Sequence, residues 1–372
     1  MKITVEKNTL VQSLTRVSKA SAPKGPIGAL ACVMLSASKN GKVSLGCTDL
    51  SVSATETIDC EVDEHGDAAI NSQSLLARVR AMPVGPVSIH VDKSATILSG
   101  VTTRRFVIPS LDTVDMPDMT TPPDGEPALV MLPGTLVRML KEVMFAISRD
   151  NTRPQLNAML LECSQDQTSL GLRFVATDGH RLVVSEIGNP KAEQTALIPL
   201  RGVAEILRLA EALKEDDTVA IYLHDRFVSA ECDGKTISVQ KIESSFPAWQ
   251  EVVPNKQPTT SAVVPREACL EAIKAVALSS KEGLGAVAFT FSAGTLALRA
   301  EDSACGQGED EVPVEHTGSN LTIGLKSVYV IEALSALDCQ EVMLEMTGDL
   351  EPVVVSPLDG DEYKAVIMPL RL

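Results

Sequence analysis

The stretch Phe174-Val-Ala-Thr-Asp-Gly-His-Arg-Leu182 lies near the middle of the chain and predicts a β-hairpin. Its apolar residues lead into the turn dipeptide Asp178-Gly179, and a second apolar strand runs from Arg181 to Ile187. A histidine and an arginine beside the turn glycine leave three interpretations open: a catalytic tip, a ligand-binding tip, or a well-formed turn. Because the local sequence does not choose among them, copies of the pattern elsewhere in the chain decide its meaning.

The amino-acid composition limits the classes of protein to which this chain can belong. The chain has 372 residues, of which 44% are hydrophobic, and this is enough for two or three domains with buried cores. No apolar run approaches the ~20 residues of a membrane helix, and the opening Met1-Lys-Ile-Thr-Val predicts a strand rather than a signal peptide. The eight cysteines form no CxxC pair and the five histidines are isolated, so we expect reduced thiols, no metal, no cofactor and a cytoplasmic location.

The chain repeats one pattern three times. A helix with apolar residues at helical spacing follows a short apolar strand in each copy, at 9–17, 135–143 and 268–276. A second helix recurs at 74–80, 202–209 and 328–334. Between the two helices each copy has a hairpin with an aspartate, namely Asp49, Asp178 and Asp302, but only the middle copy continues with Gly-His-Arg-Leu.

The three aspartates are 129 and 124 residues apart along the chain. A repeat period of this length is typical of duplicated domains rather than of a solenoid. We therefore predict an α+β protein built from three tandem copies of one domain, each with two helices packed on antiparallel sheets. The joins are rich in proline and polar residues, and we place the domains at residues 1–123, 127–253 and 254–372.

At this point the sequence resembles the DNA polymerase III beta subunit family, the bacterial sliding clamps. The resemblance covers the whole chain and is most specific in Ala176-Thr-Asp-Gly-His-Arg-Leu182 and in the C-terminal Met368-Pro-Leu-Arg-Leu372. Thr48-Asp-Leu50, Leu156-Asn-Ala-Met-Leu-Leu-Glu162 and Phe246-Pro247 support it.

The resemblance implies a head-to-tail homodimer whose clamp-type domains close into a ring around double-stranded DNA. Such a ring binds DNA without sequence specificity and has no catalytic activity of its own. It tethers the catalytic subunit of DNA polymerase III, and it also binds the clamp loader and the other polymerases and repair proteins that carry clamp-binding peptides.

The resemblance also implies a hydrophobic peptide-binding cleft between the second and third domains. An apolar groove of this kind needs aliphatic walls, a glycine for close approach and a few donors at its rim. The residues that match the family's cleft are Leu156, Thr177, Gly179, His180, Arg181, Leu182, Pro247, Val252, Pro352, Val366, Met368, Pro369, Leu370, Arg371 and Leu372.

The sequence departs from the family pattern beside this cleft. Ala248 and Trp249 stand where the family usually has an acid or amide and a tyrosine, and Glu251 replaces a common basic residue. We expect these changes to alter the charge preference of the groove. The usual aromatic pair is also absent around Arg149-Asp-Asn-Thr-Arg-Pro154, which weakens the expectation of a DNA contact there.

The charge distribution suits a ring around DNA despite a net charge of −16. Residues 255–372 contain most of the acidic excess, whereas basic residues recur on the non-apolar faces of the predicted helices. Weak attraction to phosphate by counterion release is compatible with sliding. The predicted DNA-binding residues are Lys19, Lys24, Arg80, Arg149, Arg153, Arg201 and Lys281.

The predicted subunit interface joins the first domain of one copy to the third domain of the other. Arg104, Arg105 and Phe106 form a basic strand in the first domain, and Leu278 with Glu309-Asp-Glu311 gives the third domain an apolar and acidic partner. Opposite charges on the two edges favour head-to-tail pairing and disfavour like-with-like pairing.

Two other functions remain as alternatives. An enzyme would use Asp178 and His180, with Ser185, for acid–base chemistry, but the chain has no nucleophile motif, phosphate-binding loop or metal cluster. A tandem-domain interaction protein would use the same surfaces without encircling DNA.

Overall fold

The computed structural model describes residues 1–24, 27–117, 119, 125–150, 152–164, 171–188, 190, 193–280, 285–360 and 362–371. Within these ranges the α-helices are α1 (Lys7–Val17), α2 (Ser72–Ala81), α3 (Pro133–Met144), α4 (Leu200–Glu211), α5 (Arg266–Ala277) and α6 (Ser327–Ser335). Short 3-10 helices cover Ser18–Ala20, Gly28–Ala31, Thr113–Asp115, Pro154–Leu156 and Trp249–Glu251. Each predicted repeat thus has two α-helices, as the sequence indicates.

The strands of the described residues fall into two groups along the chain. The first group is β1 (Lys2–Glu6), β2 (Cys32–Ser38), β3 (Lys42–Thr48), β4 (Val52–Asp59), β5 (Glu61–Glu64), β6 (Gly66–Asn71), β7 (Pro86–Val91), β8 (Ser94–Ser99), β9 (Arg105–Leu111), β10 (Leu129–Met131), β11 (Ala158–Cys163), β12 (Leu172–Thr177) and β13 (Arg181–Ile187). The second group is β14 (Gln194–Pro199), β15 (Val219–Leu223), β16 (Phe227–Cys232), β17 (Lys235–Gln240), β18 (Thr260–Pro265), β19 (Ala286–Ser292), β20 (Thr295–Asp302), β21 (Gly306–Pro313), β22 (Glu315–Gly318), β23 (Leu321–Lys326), β24 (Glu341–Met346), β25 (Val353–Pro357) and β26 (Tyr363–Ile367).

The chain divides into two compact units, and each has its own sheets. The first unit contains Met1–Gly134 and Ala204–Lys241, and the second contains Thr135–Val203 and Ile242–Leu372. The first unit holds an antiparallel sheet in the order β10-β15-β16-β17-β4-β3-β2-β6-β9-β8-β7-β1-β5. The second holds β14-β11-β12-β13-β26-β25-β24-β18-β22 and the smaller sheet β21-β20-β19-β23.

These units do not follow the predicted domain boundaries, because strands pair across successive repeats. β17 pairs with β4 in the first unit, and β26 pairs with β13 in the second. Strand pairing of this kind leaves no sign in the sequence, since it depends on which edges remain open after each repeat folds. The boundaries at 123, 127 and 254 therefore stay a prediction.

Amphipathic spacing explains why the helices form and which face they bury. In α1 the residues Leu10, Leu14 and Val17 are buried at intervals of three and four, so one stripe of the helix packs on the sheet. The same spacing in α5 buries Cys269, Ile273 and Val276. The exposed basic residues of the helices include Arg80, Lys141, Arg201, Arg208 and Lys274.

A hairpin turn closed by aspartate recurs in all three repeats. The Oδ1 atom of Asp178 accepts hydrogen bonds from the N–H groups two and three residues later, at 2.9 and 3.1 Å. Asp49 accepts the equivalent pair at 3.0 and 2.8 Å, and Asp302 at 2.8 and 3.2 Å. The hairpin around residue 178 is therefore a structural unit of every repeat.

The position after the aspartate requires a left-handed backbone in the first two copies. Gly179 has φ +89°, and Leu50, its counterpart, has φ +79°. A glycine adopts this conformation at little cost, whereas leucine is strained there by steric contact of its Cβ.

No helix among the described residues has the length and apolar character needed to cross a membrane. The described part of the chain also brings together no group of three or more histidine, cysteine, aspartate or glutamate side chains suited to a metal ion.

Candidate functional site

Two strands and the C-terminal tail build the candidate groove within the second compact unit. β13 and β26 pair antiparallel, with Leu182 opposite Val366. The tail continues beyond β26 along the hairpin tip, where the Met368 N–H donates to the His180 carbonyl at 3.0 Å. The two most specific motifs of the sequence therefore lie side by side at this tip.

An apolar cluster forms the floor below this surface. It consists of Ala158, Leu160, Val175, Leu182, Val184, Leu197, Trp249 and Val366, with Ile242, Phe246, Val253 and Val354 packed against it. The floor follows from period-two alternation, because neighbouring strands point these residues to one face of the sheet. Trp249, which departs from the family pattern, is 8% exposed and occupies the floor rather than the rim.

The predicted cleft residues divide into a buried and an exposed set. Leu156, Thr177, Arg181, Leu182 and Val366 are buried. Gly179, His180, Pro247, Val252, Met368, Leu370 and Arg371 are exposed, and Pro352 and Pro369 are half-buried. Pro352 directly precedes Val353, which pairs with Ile367 at the end of β26, and this brings Pro352 near the tail. Leu372 lies outside the described residues.

Arg181, which the sequence assigns to the cleft, is largely buried beneath it. Its side chain is 8% exposed, its Nε donates to Asp178 at 3.1 Å, and its Nη2 donates to the Phe145 carbonyl at 2.7 Å. Nη1 makes a short ion pair with Glu332 on α6. The guanidinium also lies 4.9 Å from the ring centroid of Phe145. With every nitrogen engaged, Arg181 stabilises the hairpin tip and is not a free donor for a peptide.

The structure adds two residues that sequence reasoning did not assign to the cleft. Tyr329 on α6 stacks on His180, with ring centroids 6.4 Å apart and an interplanar angle of 16°. Lys326, the last residue of β23, has its Nζ 4.8 Å from the Tyr329 ring centroid. The sequence around the end of β23 and the start of α6 contains no motif. Only the tertiary structure therefore connects these two residues with the hairpin.

The polar geometry of the tip does not form an acid–base pair. The Asp178 carboxylate is occupied by the turn N–H groups and by Arg181, while the His180 imidazole stacks on Tyr329. Ser185 is fully buried and donates to Glu142 at 2.5 Å. Burial raises the pKa of the Glu142 carboxyl, although the Ser185 hydroxyl and Arg138 oppose this shift. These groups serve packing in the described structure and do not meet at an open cavity.

The predicted DNA-binding residues are exposed wherever they are described: Lys19, Lys24, Arg80, Arg149, Arg153 and Arg201. Arg80 donates to the Thr15 hydroxyl at 3.0 Å and so lies on the surface shared by α1 and α2. Arg153 has its Nη1 3.6 Å from the position that a Cβ on Gly179 would take. It therefore lies beside the groove tip, a position that the sequence did not predict. Lys281 is outside the described residues.

Of the predicted interface residues, Arg105, Phe106 and Glu309 to Glu311 lie on strands, whereas Arg104 and Leu278 lie outside them. In the described structure Arg105–Pro109 of β9 pair only with β8, because β6 reaches no further than Ser110 and Leu111. β21 is the end strand of its sheet and carries the exposed Glu309, Asp310 and Glu311. Leu278, directly after α5, is 76% exposed.

Comparison with protein families matches the description "DNA polymerase III beta subunit" in three consecutive parts. The N-terminal domain matches residues 1–120, the central domain 132–248 and the C-terminal domain 250–371. The chain is also 28% identical over 389 residues to the beta sliding clamp of Streptomyces coelicolor, and 26% identical over 396 residues to that of Synechocystis. Each of these two comparisons covers 100% of both chains.

Solved structures agree with these matches. The DNA polymerase III subunit beta from Pseudomonas aeruginosa superposes with a TM-score of 0.91 at 26% identity, covering 100% of both chains. The sliding clamp from Bartonella birtlesii, solved bound to griselimycin, gives a TM-score of 0.90 at 26% identity with the same coverage. With three clamp domains matched in order and a superposition over the full length, this chain belongs to the DNA polymerase III beta subunit family, the sliding clamps of bacterial DNA replication.

Proposed function

We propose that two copies of this chain close head to tail into a ring around duplex DNA, and that the ring tethers DNA polymerase III and other proteins through the groove described above. The groove is the observation that carries the proposal. Its apolar floor and its exposed wall of Met368, Leu370 and Val252 suit the apolar side chains of a short peptide. We place this activity in the cytoplasm.

The open strand edges support the head-to-tail dimer. Unpaired N–H and C=O groups on β9 of one copy can extend the sheet by pairing with the free edge of β21 in the other. Arg105 on β9 and Glu309 to Glu311 on β21 have opposite charges, which favours this pairing over pairing of like edges. Exposed Val107 and Leu278 provide apolar area for the same contact.

Exposed basic residues support a loose contact with DNA. Arg80 on α2 donates to Thr15 on α1, Lys19 lies in the 3-10 helix directly after α1, and both of these residues and Lys24 are exposed. Contacts to phosphate alone are independent of sequence and weaken as salt increases. Residence on DNA then depends on ring topology, and the clamp loader is the partner that opens and closes the ring. We propose no catalytic activity for the chain itself.

Loading on circular and linear DNA tests the proposal. The protein, loaded on nicked circular DNA by the clamp loader of the same cell, should stay bound after gel filtration. Cutting the circle with a restriction enzyme should release it within minutes, because a ring slides off free ends. Equal retention on linear and circular DNA would contradict encirclement and favour the tandem-domain interaction protein instead.

Charge reversal tests the subunit interface. Replacing Arg104 and Arg105 with glutamate should convert a dimer of about twice the 39.6 kDa chain mass into monomers by light scattering. Replacing the exposed Lys39 and Lys42 with glutamate makes the same change in charge away from β9 and should leave the dimer intact. An unchanged dimer in the first variant would exclude the assigned interface.

Changes in the tail test the groove independently of the ring. Deletion of residues 368–372 should abolish binding of the polymerase while the dimer persists. Leu370→Ser, which keeps the tail's backbone, should weaken binding in the same direction. Loss of the dimer in either variant would show that the tail supports the interface rather than the groove.

A further inference from the structure

A small cavity lies within the first compact unit, and residues of α1, α4, β4 and β17 line it. Its volume is about 110 Å³. One wall is the joint between β4 and β17, where Ala54 pairs with Ile237 and Glu56 pairs with Lys235. Because this joint forms between strands of two successive repeats, the cavity has no motif in the sequence.

Part of the cavity lining is apolar. Val17, Ala54 and Leu209 are buried, and Ile237 beside Ala54 is half-buried. The lining also includes the exposed Ala212, so the cavity opens to solvent. Closed apolar cavities of about 150 Å³ in proteins take one benzene ring. A cavity of this size that opens to solvent therefore suits a ligand with a single ring.

Two cationic side chains of the same lining keep free donors. Glu56 accepts from Nε and Nη2 of Arg16 at 2.8 and 2.5 Å, so this guanidinium is already balanced. Arg208 pairs with Glu205 through Nη1, and within the described part of the chain its other nitrogens have no partner. Lys19 is exposed and has no ion pair with a described residue. Because Lys19 and Arg208 line one cavity of this size, a single ligand in it can reach both.

The charges around the cavity leave room for one anionic group. Four basic side chains line it against two acidic ones, and Asp233 pairs with one of the four, Lys235, at 3.4 Å. Four cations against three anions leave an excess of one positive charge. A carboxylate balances this excess, whereas a phosphate dianion exceeds it.

We propose that this cavity binds a small aromatic carboxylate. The ring packs against Val17, Ala54 and Leu209, and the carboxylate accepts hydrogen bonds from Lys19 and Arg208. This site goes beyond the proposed function, because it requires neither a closed ring around DNA nor the peptide groove.

Three matched ligands test this assignment on the full-length protein. Para-fluorobenzoate has both the ring and the charge, para-fluorobenzamide has the ring alone, and acetate has the charge alone. The two fluorinated ligands are titrated by fluorine NMR in about 50 mM salt, with acetate as a competitor. We expect the benzoate to bind about fivefold more tightly than the benzamide, because of the free donors. Acetate should bind at least about tenfold more weakly than the benzoate, because it buries no ring.

Two substitutions separate the charge of the site from its space. Lys19→Gln should lower the affinity for the benzoate about threefold and leave that for the benzamide within about twofold. Ala212→Phe places a ring at the opening and should abolish binding of both ligands. Lys274→Gln, on an exposed lysine of α5, and Ala304→Phe, on an exposed turn, are the matched controls and should bind as the wild type does. Leu370→Ser, in the peptide groove, should also leave both affinities unchanged.

Several results would overturn the inference. The benzoate could fail to bind, or bind no more tightly than the benzamide, and the cations would then not select the ligand. Acetate could compete as strongly as the benzoate, and the apolar lining would then contribute nothing. Binding that survives Ala212→Phe, or that is lost in Leu370→Ser, would place the ligand outside this cavity. None of these results would contradict the ring or the docking of partner peptides.

Discussion

Replacing Arg181 with alanine should destabilise the second compact unit and weaken peptide binding together. The side chain joins three parts of that unit: the hairpin aspartate, the backbone after α3 and Glu332 on α6. Because it is 8% exposed, its removal takes the guanidinium donor away from the Oδ2 atom of Asp178 and from the Phe145 carbonyl in a largely buried place, while the Oδ1 atom of Asp178 keeps its turn N–H groups. The variant therefore tests whether the tip is a structural junction.

The magnitude follows from the three contacts. The charged hydrogen bonds to Asp178 and to the Phe145 carbonyl each contribute about 1.5 kcal/mol. The pair with Glu332 contributes only about 0.5 kcal/mol, because that carboxylate is 39% exposed and screened by water. We expect a loss of about 3 to 4 kcal/mol in the free energy of unfolding, within the range for breaking a buried charge network.

The single tryptophan provides the assay. Trp249 is the only tryptophan in the chain and lies in the same apolar cluster as Leu182, so urea unfolding followed by its fluorescence reports on this unit. Arg181→Lys keeps the charge but loses the planar fork, and about half of the loss should remain. Arg299→Ala, which removes an exposed arginine paired with Glu301 and Glu309, should leave the free energy of unfolding nearly unchanged, because water screens both pairs.

Two results would refute this reasoning. A loss below about 1 kcal/mol in Arg181→Ala would mean that water replaces its contacts without cost. Full stability combined with lost peptide binding would return Arg181 to the role of a direct donor at the groove rim.

Two other predictions concern a buried acid and a strained turn. Burial raises the pKa of Glu142 above its ordinary 4.5, so the folded state favours the protonated carboxyl. The stability that this preference contributes is complete below pH 4.5 and is lost as the pH rises through the raised pKa. The melting temperature of Glu142→Gln, minus that of the wild type, should therefore increase between about pH 4 and about pH 7, because glutamine stays neutral. A difference that does not change with pH would contradict the raised pKa of Glu142. Leu50→Gly relieves the left-handed leucine and should be neutral or stabilising by up to about 1 kcal/mol, whereas Gly179→Ala introduces a Cβ at φ +89° and should cost about 1 kcal/mol. Equal effects of the two substitutions in thermal unfolding would show that backbone strain does not decide these turns.

The sequence by itself determined the repeated architecture. Apolar residues at helical spacing define the helices in each repeat, because a helix buries one stripe whatever lies beneath it. The aspartates at 49, 178 and 302 define the hairpin turns, because their carboxylates bond to N–H groups only two and three residues away. These are local interactions, and the structure reproduces them.

Only the tertiary structure decided which of these pieces meet. β13 pairs with β26 across about half of the chain, and this pairing brings the His180 tip to the C-terminal tail. Lys326 at the end of β23 and Tyr329 on α6 lie beside that site without a distinguishing motif, while Arg181, prominent in the sequence, is buried beneath it. The physical reason is that strand edges and ion pairs select partners by geometry after folding, and that choice is not encoded by spacing along the chain.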